Sequence, residues 1–397
     1  MSQLSSRERM LAAIRYQQPD YVPLIFNVFG FQPPPHLAWS DQVEQAQCWI
    51  SLGVDATLGV SLPLIFHPDV EVREWEESVP DERWPLMVKE YHTPAGVARQ
   101  EVYRTEDWIS SDWPGHRAEP SSVGLFDDYN VSRSRKFLIE TEQDLEMLQY
   151  LLYPMPDEAR ERFSEEAAAV AGQAAQLGVL LEAQGSSGVD AVTWLCGANN
   201  MIFLALDQPD MFNALLDIVH AWDKRNVDVL LDTPVDLVTR RGWYEGTAFW
   251  SPTLFRTFFQ PRFKALTDSV HQAGKLMGYK NSTGFMPLLD AFVEVGYDAH
   301  FYIDPVMGGV GVDLRKVKSA FENKIAVIGG VNSPVTLERG SRNEIRQEVF
   351  DAVKTLGPGG GLVLTPVDCI SANTPWENIK ILIEAWKEVR DYPLKSI

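Results

Sequence analysis

Leu276-Met277-Gly278-Tyr279-Lys280, Ala299-His300-Phe301-Tyr302-Ile303 and Ile325-Ala326-Val327-Ile328-Gly329 are three short apolar runs in close succession. Each is too short for a stable helix, and together they are rich in aromatic and β-branched side chains, so each predicts a strand. The stretches between them, 285–295 and 312–322, are long enough for helices. Strands that alternate with helices imply a parallel sheet, because a parallel neighbour is reached only through a crossover. The rhythm extends both ways. Val179–Ala183 and Leu237–Arg241 come before, Gly361–Thr365 comes after, and helices are predicted over 157–177, 209–231, 252–273, 343–356 and 376–390. Two N-terminal runs, Tyr21–Asn27 and Val54–Val60, flank a helix at 41–52 and bring the strand count to eight. Eight parallel strands fit closure into a (β/α)8 TIM barrel. No GxGxxG follows the first strand, so nothing favours an open dinucleotide-binding sheet.

Two regions depart from the rhythm. A short helix, Arg7–Tyr16, capped by Ser5 or Ser6 and stopped by Pro19, precedes the first strand. The stretch 65–135 alternates instead: Leu86–His92 and Val97–Tyr103 meet across the turn Pro94-Ala95-Gly96, an antiparallel hairpin. This region also carries Trp108, Trp113, Pro114 and Gly115. It is an excursion from a single barrel domain spanning 1–397, with one further helix expected at 142–151.

Composition narrows the partners. The chain has 397 residues and a net charge of −20. A surface this acidic repels phosphate backbones and anionic lipid, so neither nucleic acid nor a membrane is an expected partner. Cys48, Cys196 and Cys369 are odd in number and widely spaced, which implies no disulfide framework. The opening residues lack the apolar core of a signal peptide, and no apolar run reaches about 18 residues. The expected location is the cytoplasm.

In a barrel of this kind, chemistry gathers after the C-terminal strand ends. Gly242-Trp243-Tyr244-Glu245 follows Leu237–Arg241, and Glu245 there could have a raised pKa, ligate a metal, or pair with Arg240 or Arg241. Lys280 ends its strand and could hold an anion. Asn281 and Thr283 follow it as ligand contacts or as helix-cap chemistry. Asp304 after Ile303 is a proton-handling candidate or a turn residue. Cys369 after the last strand could be a thiolate ligand or a packed thiol. The loop Gln184-Gly185-Ser186-Ser187-Gly188 could cradle an anion on its backbone N–H groups. Cys196 and His300 read as packing residues.

Three stretches resemble the uroporphyrinogen decarboxylase superfamily, which also contains corrinoid-dependent methyltransferases. They are Arg7–Ile14 with Pro19-Asp20-Tyr21-Val22-Pro23, Ser251-Pro252 through Gln260-Pro261 with Val270–Lys275, and Gly359–Leu364 with Thr374–Ile379. The likeness covers roughly 1–60 and 178–392 and implies the barrel. The superfamily's decarboxylases carry an arginine-rich stretch after the first strand. Here Asn27-Val28-Phe29-Gly30-Phe31-Gln32-Pro33-Pro34 has no arginine, and Phe29 and Phe31 suit a neutral or aromatic substrate instead. The methyltransferases hold zinc on a His-x-Cys-Gly element and a last-strand cysteine. Here Lys280–Gly284 lacks the first element, and only Cys369 matches.

The expected function is methyl transfer between a small methylated substrate and a corrinoid on a partner protein. Glu245 or Lys280 would polarise the donor, Trp243, Tyr244 and Arg240 would line the site, and zinc, if present, would sit on Cys369 and Glu245. The alternative is a decarboxylase or other lyase, with Arg240, Arg241 and Lys280 holding a carboxylate and Asp304 or Glu245 moving protons. A non-catalytic binding barrel is the third reading. A homodimer is compatible with the sequence.

Overall fold

The apolar runs pair edge to edge as the sequence predicts. The computed structural model describes residues 4–106 and 122–394. Its strands are β1 (Thr57–Ser61), β2 (Glu71–Glu77), β3 (Leu86–Thr93), β4 (Gly96–Tyr103), β5 (Ser134–Lys136), β6 (Leu180–Ser186), β7 (Leu237–Arg241), β8 (Leu276–Lys280), β9 (Ala299–Ile303), β10 (Ala326–Asn332) and β11 (Leu362–Val367). The chain divides into two units. One comprises Met1–Ser61, Glu161–Gly185 and Val227–Ile397; the other comprises Leu62–Arg160 and Ser186–Asn226.

The first unit holds a curled parallel sheet in the order β1-β6-β7-β8-β9-β10-β11. Side chains alternate across a strand, and every second residue lines the inner face. Leu180, Leu237, Leu276, Ala299, Ala326, Ile328, Val363 and Val367 gather there with Ile25. Helix α1 (Ser6–Ile14) packs Met10, Leu11, Ala13 and Ile14 into the same cluster. It starts where Ser5 and Glu8 form a reciprocal capping box.

The sheet has seven strands where eight were expected, because residues 21–28 pair only at isolated points. Leu24 bridges Leu364 and Val28 bridges Ile370, both in the parallel sense. Pro23 has no N–H to donate, and the Leu24 N–H goes to the Asp55 carboxylate at 3.3 Å rather than to a neighbouring carbonyl. The segment is nevertheless tied on both sides. Leu364 N donates to Pro23 O, Ile25 N to Leu364 O, and Asp55 N to Leu24 O.

Arg9 fixes this arrangement. It is almost wholly buried. It donates to Asp55 Oδ1 at 2.5 Å, Asp20 Oδ1 at 2.7 Å and Leu4 O at 2.6 Å, and lies 3.7 Å over the Tyr21 ring. The Arg7–Ile14 and Pro19–Pro23 motifs therefore belong to one ion cluster.

The helix expected over 252–273 is one continuous run with a π turn, Phe255–Phe259, between Pro252–Leu254 and Gln260–Gln272. Pro261 removes an N–H from the ladder, and the local widening accommodates that loss.

In the second unit the predicted hairpin is β3–β4, with Thr93 opposite Gly96, but it is the centre of a four-stranded antiparallel sheet, β2-β3-β4-β5. Trp108, Trp113, Pro114 and Gly115 lie outside the described residues. Two helices that sequence reasoning missed, Gly188–Cys196 and Ala198–Asp207, follow the 184–188 loop. All of Gly188–Cys196 is buried, so it carries no amphipathic stripe to read. Asp223 fills the cradle foreseen in that loop. It accepts from Ser186 Oγ at 2.6 Å, Ser187 N at 3.0 Å and Gly188 N at 2.9 Å. Among the described residues, no single helix is long and apolar enough to cross a membrane.

His300 points to the helix-facing side of β9, among Tyr279, Phe285, Phe292 and Phe321, with ring centroids 5.0 to 5.8 Å away. It is buried, and among the described residues neither ring nitrogen meets hydrogen-bond geometry. Burial lowers its pKa to about 3. The folded chain thus keeps His300 neutral where the unfolded chain binds a proton, below pH 6.5. Its contribution is fully present above pH 6.5 and is lost as the pH falls toward 3. Urea unfolding of His300→Phe between pH 6.5 and 4 should show a shallower loss of stability than wild type, by about 1.4 kcal/mol per pH unit. Parallel stability curves for the two proteins would contradict this.

Candidate active site

At the C-terminal ends of the strands the inner face turns polar. In β7 and β8, Arg241 lies opposite Lys280 and Arg240 opposite Tyr279. Alternation therefore puts Arg241 and Lys280 on the inner face and Arg240 and Tyr279 on the helix-facing side. Lys280 borders a cavity of about 170 Å³. Glu182 of β6, Thr365 of β11, Tyr302 of β9 and Asn27 line it, with Gln42, Gln45 and Trp49 of helix α2 (Gln42–Ser51) and the apolar Phe26, Phe301 and Ile328.

Lys280 Nζ stands 3.8 Å from Glu182 Oε1 and 5.3 Å from the Phe301 ring centroid. That is the long limit of an ion pair, so the ammonium keeps N–H groups for another partner. Gly278 makes the floor possible. A Cβ there would sit 2.8 Å from the Phe301 ring.

β9 breaks strict alternation. The β9–β10 register shifts between Ile328 and Gly329, and both Phe301 and Tyr302 join the inner cluster. Tyr302 has φ +73°, a left-handed conformation that costs a non-glycine residue of order 1–3 kcal/mol and often marks a working site. Its hydroxyl accepts a hydrogen bond from Asn27 Nδ2 at 3.0 Å. Asn27 Nδ2 also donates to Asp368 O at 3.0 Å. Burial, with Asp368 and Glu182 nearby, holds the Tyr302 phenol well above its usual pKa.

The loops after β7, β8 and β9 are joined by their main chains. Thr247 N donates to Gly284 O and Gly284 N to Gly308 O, both at 2.9 Å. Glycine is needed at these crossings. A Cβ on Gly246 would lie 2.1 Å from Thr283 O, and one on Gly284 2.5 Å from Thr247 N.

Of the residues singled out from sequence, Lys280 alone lines the cavity. Glu245 is in the wall instead. Arg240 donates to both of its oxygens at 2.6 Å, and Tyr279 Oη donates to Oε2 at 2.9 Å. Arg240 also reaches Tyr297 Oη at 3.2 Å and lies 3.5 Å over the Phe263 ring. Arg240 and Glu245 are fully buried and form an internal ion pair, the pairing that the sequence offered beside a site role for Glu245. Asp304 is occupied as well. Its Oδ1 accepts from Val306 N and Met307 N, and its Oδ2 from Asn332 Nδ2. Asn281 Nδ2 donates to Gly242 O at 2.6 Å, tying one loop to the next. Thr283 presents its carbonyl to Gly246. Trp243 lies under Arg241, with the guanidinium 4.5 Å from its ring, and Tyr244 packs on Phe249. Phe31 belongs to an aromatic cluster with Trp39 and Trp376, and Phe29 N donates to Ile370 O.

Sequence reasoning missed Asn27, Glu182 and Tyr302 as site residues. Glu182 had a signal: it is the one charge in the run Val179–Ala183, and period-two counting turns it inward with Leu180. Tyr302 had none, because the register shift that turns it inward is a property of the β9–β10 pairing.

A family model for uroporphyrinogen decarboxylase (URO-D) matches residues 129–389. The chain belongs to the uroporphyrinogen decarboxylase family. No curated protein matches this URO-D family member. Among solved structures it is similar to a methyltransferase from Methanosarcina mazei, with a TM-score of 0.55 and 16% identity over 97% of this chain and 99% of that one. A D-psicose 3-epimerase gives a TM-score of 0.38 at 10% identity, covering 58% of this chain and 84% of that one. The 3-keto-D-glucoside 4-epimerase YcjR from E. coli gives 0.36 at 9%, covering 62% and 92%. The likeness to the methyltransferase shows a shared α/β fold along the whole chain.

The donors expected for zinc in this URO-D family member do not fit it. Both Glu245 oxygens are engaged by Arg240. Burial and the neighbouring Asp368 push the Cys369 thiol above its ordinary pKa. Among the described residues, no three His, Cys, Asp or Glu side chains converge as a ligand set.

The two roles separate by mutation. Glu245→Gln leaves the Arg240 guanidinium buried without its counter-charge and should cost about 3–5 kcal/mol of stability. Lys280→Met should leave the unfolding midpoint nearly unchanged. Thermal melts of both variants check this, and equal melting points for Glu245→Gln and wild type would contradict it.

Proposed function

We propose that this URO-D family member is a methyltransferase that moves a methyl group between a small methylated compound in the cavity and a corrinoid carried by a partner protein. The make-up of the cavity supports this reading. Among the described residues that line it, Lys280 is the single cation and Glu182 the single anion, beneath Phe26, Trp49 and Phe301. A substrate with several carboxylates would need a cation for each. A small substrate of low charge meets aromatic walls and a few directional polar groups. The full-length likeness to a methyltransferase fits the same reading at the level of fold.

In this mechanism the bond between the methyl carbon and its heteroatom breaks, and the heteroatom keeps the electron pair. Lys280 supplies the proton that neutralises the leaving heteroatom, and Glu182, 3.8 Å away, holds the ammonium in place. Phe301 and Trp49 keep water from the reacting atoms. The corrinoid supplies a strongly nucleophilic cobalt when its carrier docks. We also read residues 22–28 as the eighth stave of a closed barrel, supported by their main-chain bonds to Leu364 on one side and Asp55 on the other. The odd, widely spaced cysteines favour a reducing compartment, and the cytoplasm completes the reading.

A second reading is a lyase acting on a monocarboxylate. The pairing of Arg241 with Lys280 across β7 and β8 favours it, because two cations on one face could grip a carboxylate.

The test mixes the protein with reduced cobalamin and a panel of methoxyarenes, methylamines and methylthiols, and follows the cobalamin spectrum. Methylation of the cobalt by at least one donor is expected, and Lys280→Met should slow it by about 10²–10⁴-fold. Carbon dioxide release from a monocarboxylate without methyl transfer would replace this reading with the lyase. An undiminished rate in Lys280→Met would remove Lys280 from the mechanism.

A further inference from the structure

We propose that Tyr302 donates a hydrogen bond to an acceptor oxygen on the substrate, and that Asn27 is the positioning residue that aims its proton. The inference deepens the reading above and rests on its placement of the substrate in the cavity.

The argument is a count of hydrogens. The Asn27 amide nitrogen has two, and both are placed: one on Tyr302 Oη and one on Asp368 O, each at 3.0 Å. Turning the amide over would set its oxygen against the Asp368 carbonyl, two acceptors face to face, so the Asp368 main chain fixes which end is nitrogen. Tyr302 Oη is then an acceptor toward Asn27. Its own single hydrogen must point elsewhere, and among the described residues no group accepts it.

Tyr302 and Asn27 both line the cavity, together with Lys280 and Glu182. A buried hydroxyl hydrogen without an acceptor is costly and is satisfied when a ligand brings one. The phenol keeps its proton at neutral pH, because burial and the neighbouring carboxylates of Asp368 and Glu182 oppose its ionisation. The left-handed backbone at Tyr302 and the register shift beside it turn the ring inward. These features together select a substrate with an ether, hydroxyl or carbonyl oxygen and disfavour its hydrocarbon isostere.

Anisole and ethylbenzene are near-isosteric probes that differ in one acceptor oxygen. Titration calorimetry on wild-type protein should show anisole binding about tenfold tighter than ethylbenzene, the worth of one good buried hydrogen bond. Tyr302→Phe should bind the two alike, with ethylbenzene affinity unchanged. Asn27→Asp should do the same with the tyrosine intact, because the carboxylate, turned off the Asp368 carbonyl, directs an oxygen to accept the Tyr302 hydrogen. A purely structural role would weaken both probes together in each variant and overturns the proposal. So does an anisole preference that survives in Tyr302→Phe, or a wild-type protein that binds neither probe or shows no preference. If Tyr302→Phe does not fold, the Asn27→Asp result decides. Binding is read without turnover. A clear anisole preference alongside no cobalamin methylation would therefore refute the methyltransferase reading and leave the Tyr302 assignment standing.

Discussion

The cation of Arg9 is the constraint on which the rest of the first unit depends. A guanidinium taken out of water must find its charge and hydrogen bonds inside the protein. Here it finds them on three pieces of chain at once: Asp20 before the first extended segment, Asp55 before β1, and the Leu4 carbonyl. Losing one partner of such a cluster costs about 3–5 kcal/mol, whereas an exposed pair such as Lys264–Asp268 is worth about 0–1. The cluster outweighs any single surface ion pair. It also does what those pairs cannot. By engaging the Leu24 N–H through Asp55, it holds residues 22–28 beside β11, and that places Asn27 next to Tyr302 and Asp368.

The second organising fact is that neighbouring residues on a strand serve opposite faces. Arg240 and Arg241 are adjacent in sequence yet belong to different chemistry. Arg240 goes to the helix side, where Glu245 and Tyr297 accept from it and Tyr279 donates to the same carboxylate. Arg241 goes to the inner face beside Lys280. A carboxylate in a loop at a strand end is therefore no guarantee of a site residue. Gly242 lets Glu245 fold back onto Arg240, since a Cβ there would lie 2.4 Å from Glu245 Oε2.

The parallel sheet was legible because its strands are short, apolar and separated by helices, and β7, β8 and β9 fall on their expected residues. The first segment was legible as an extended run, but not its failure to form a full ladder. That failure depends on Pro23 and on an aspartate 31 residues from Leu24. The fully buried helix Gly188–Cys196 was illegible for want of a polar face. At the site, Lys280 was found because a lysine ending an apolar strand is conspicuous. Glu182 was overlooked although the same argument applies to it. Tyr302 could not be found, since its orientation follows from a register shift between two strands that only the fold brings together.

The main-chain links among the 246–247, 284 and 308 loops have a consequence for how the protein can change. Their strength comes from peptide groups and from the absence of side chains at a few crossings. That band at the C-terminal end of the sheet keeps its spacing whatever residues decorate it. A lineage could exchange its other side chains, and with them its choice of small molecule, while the frame stays still.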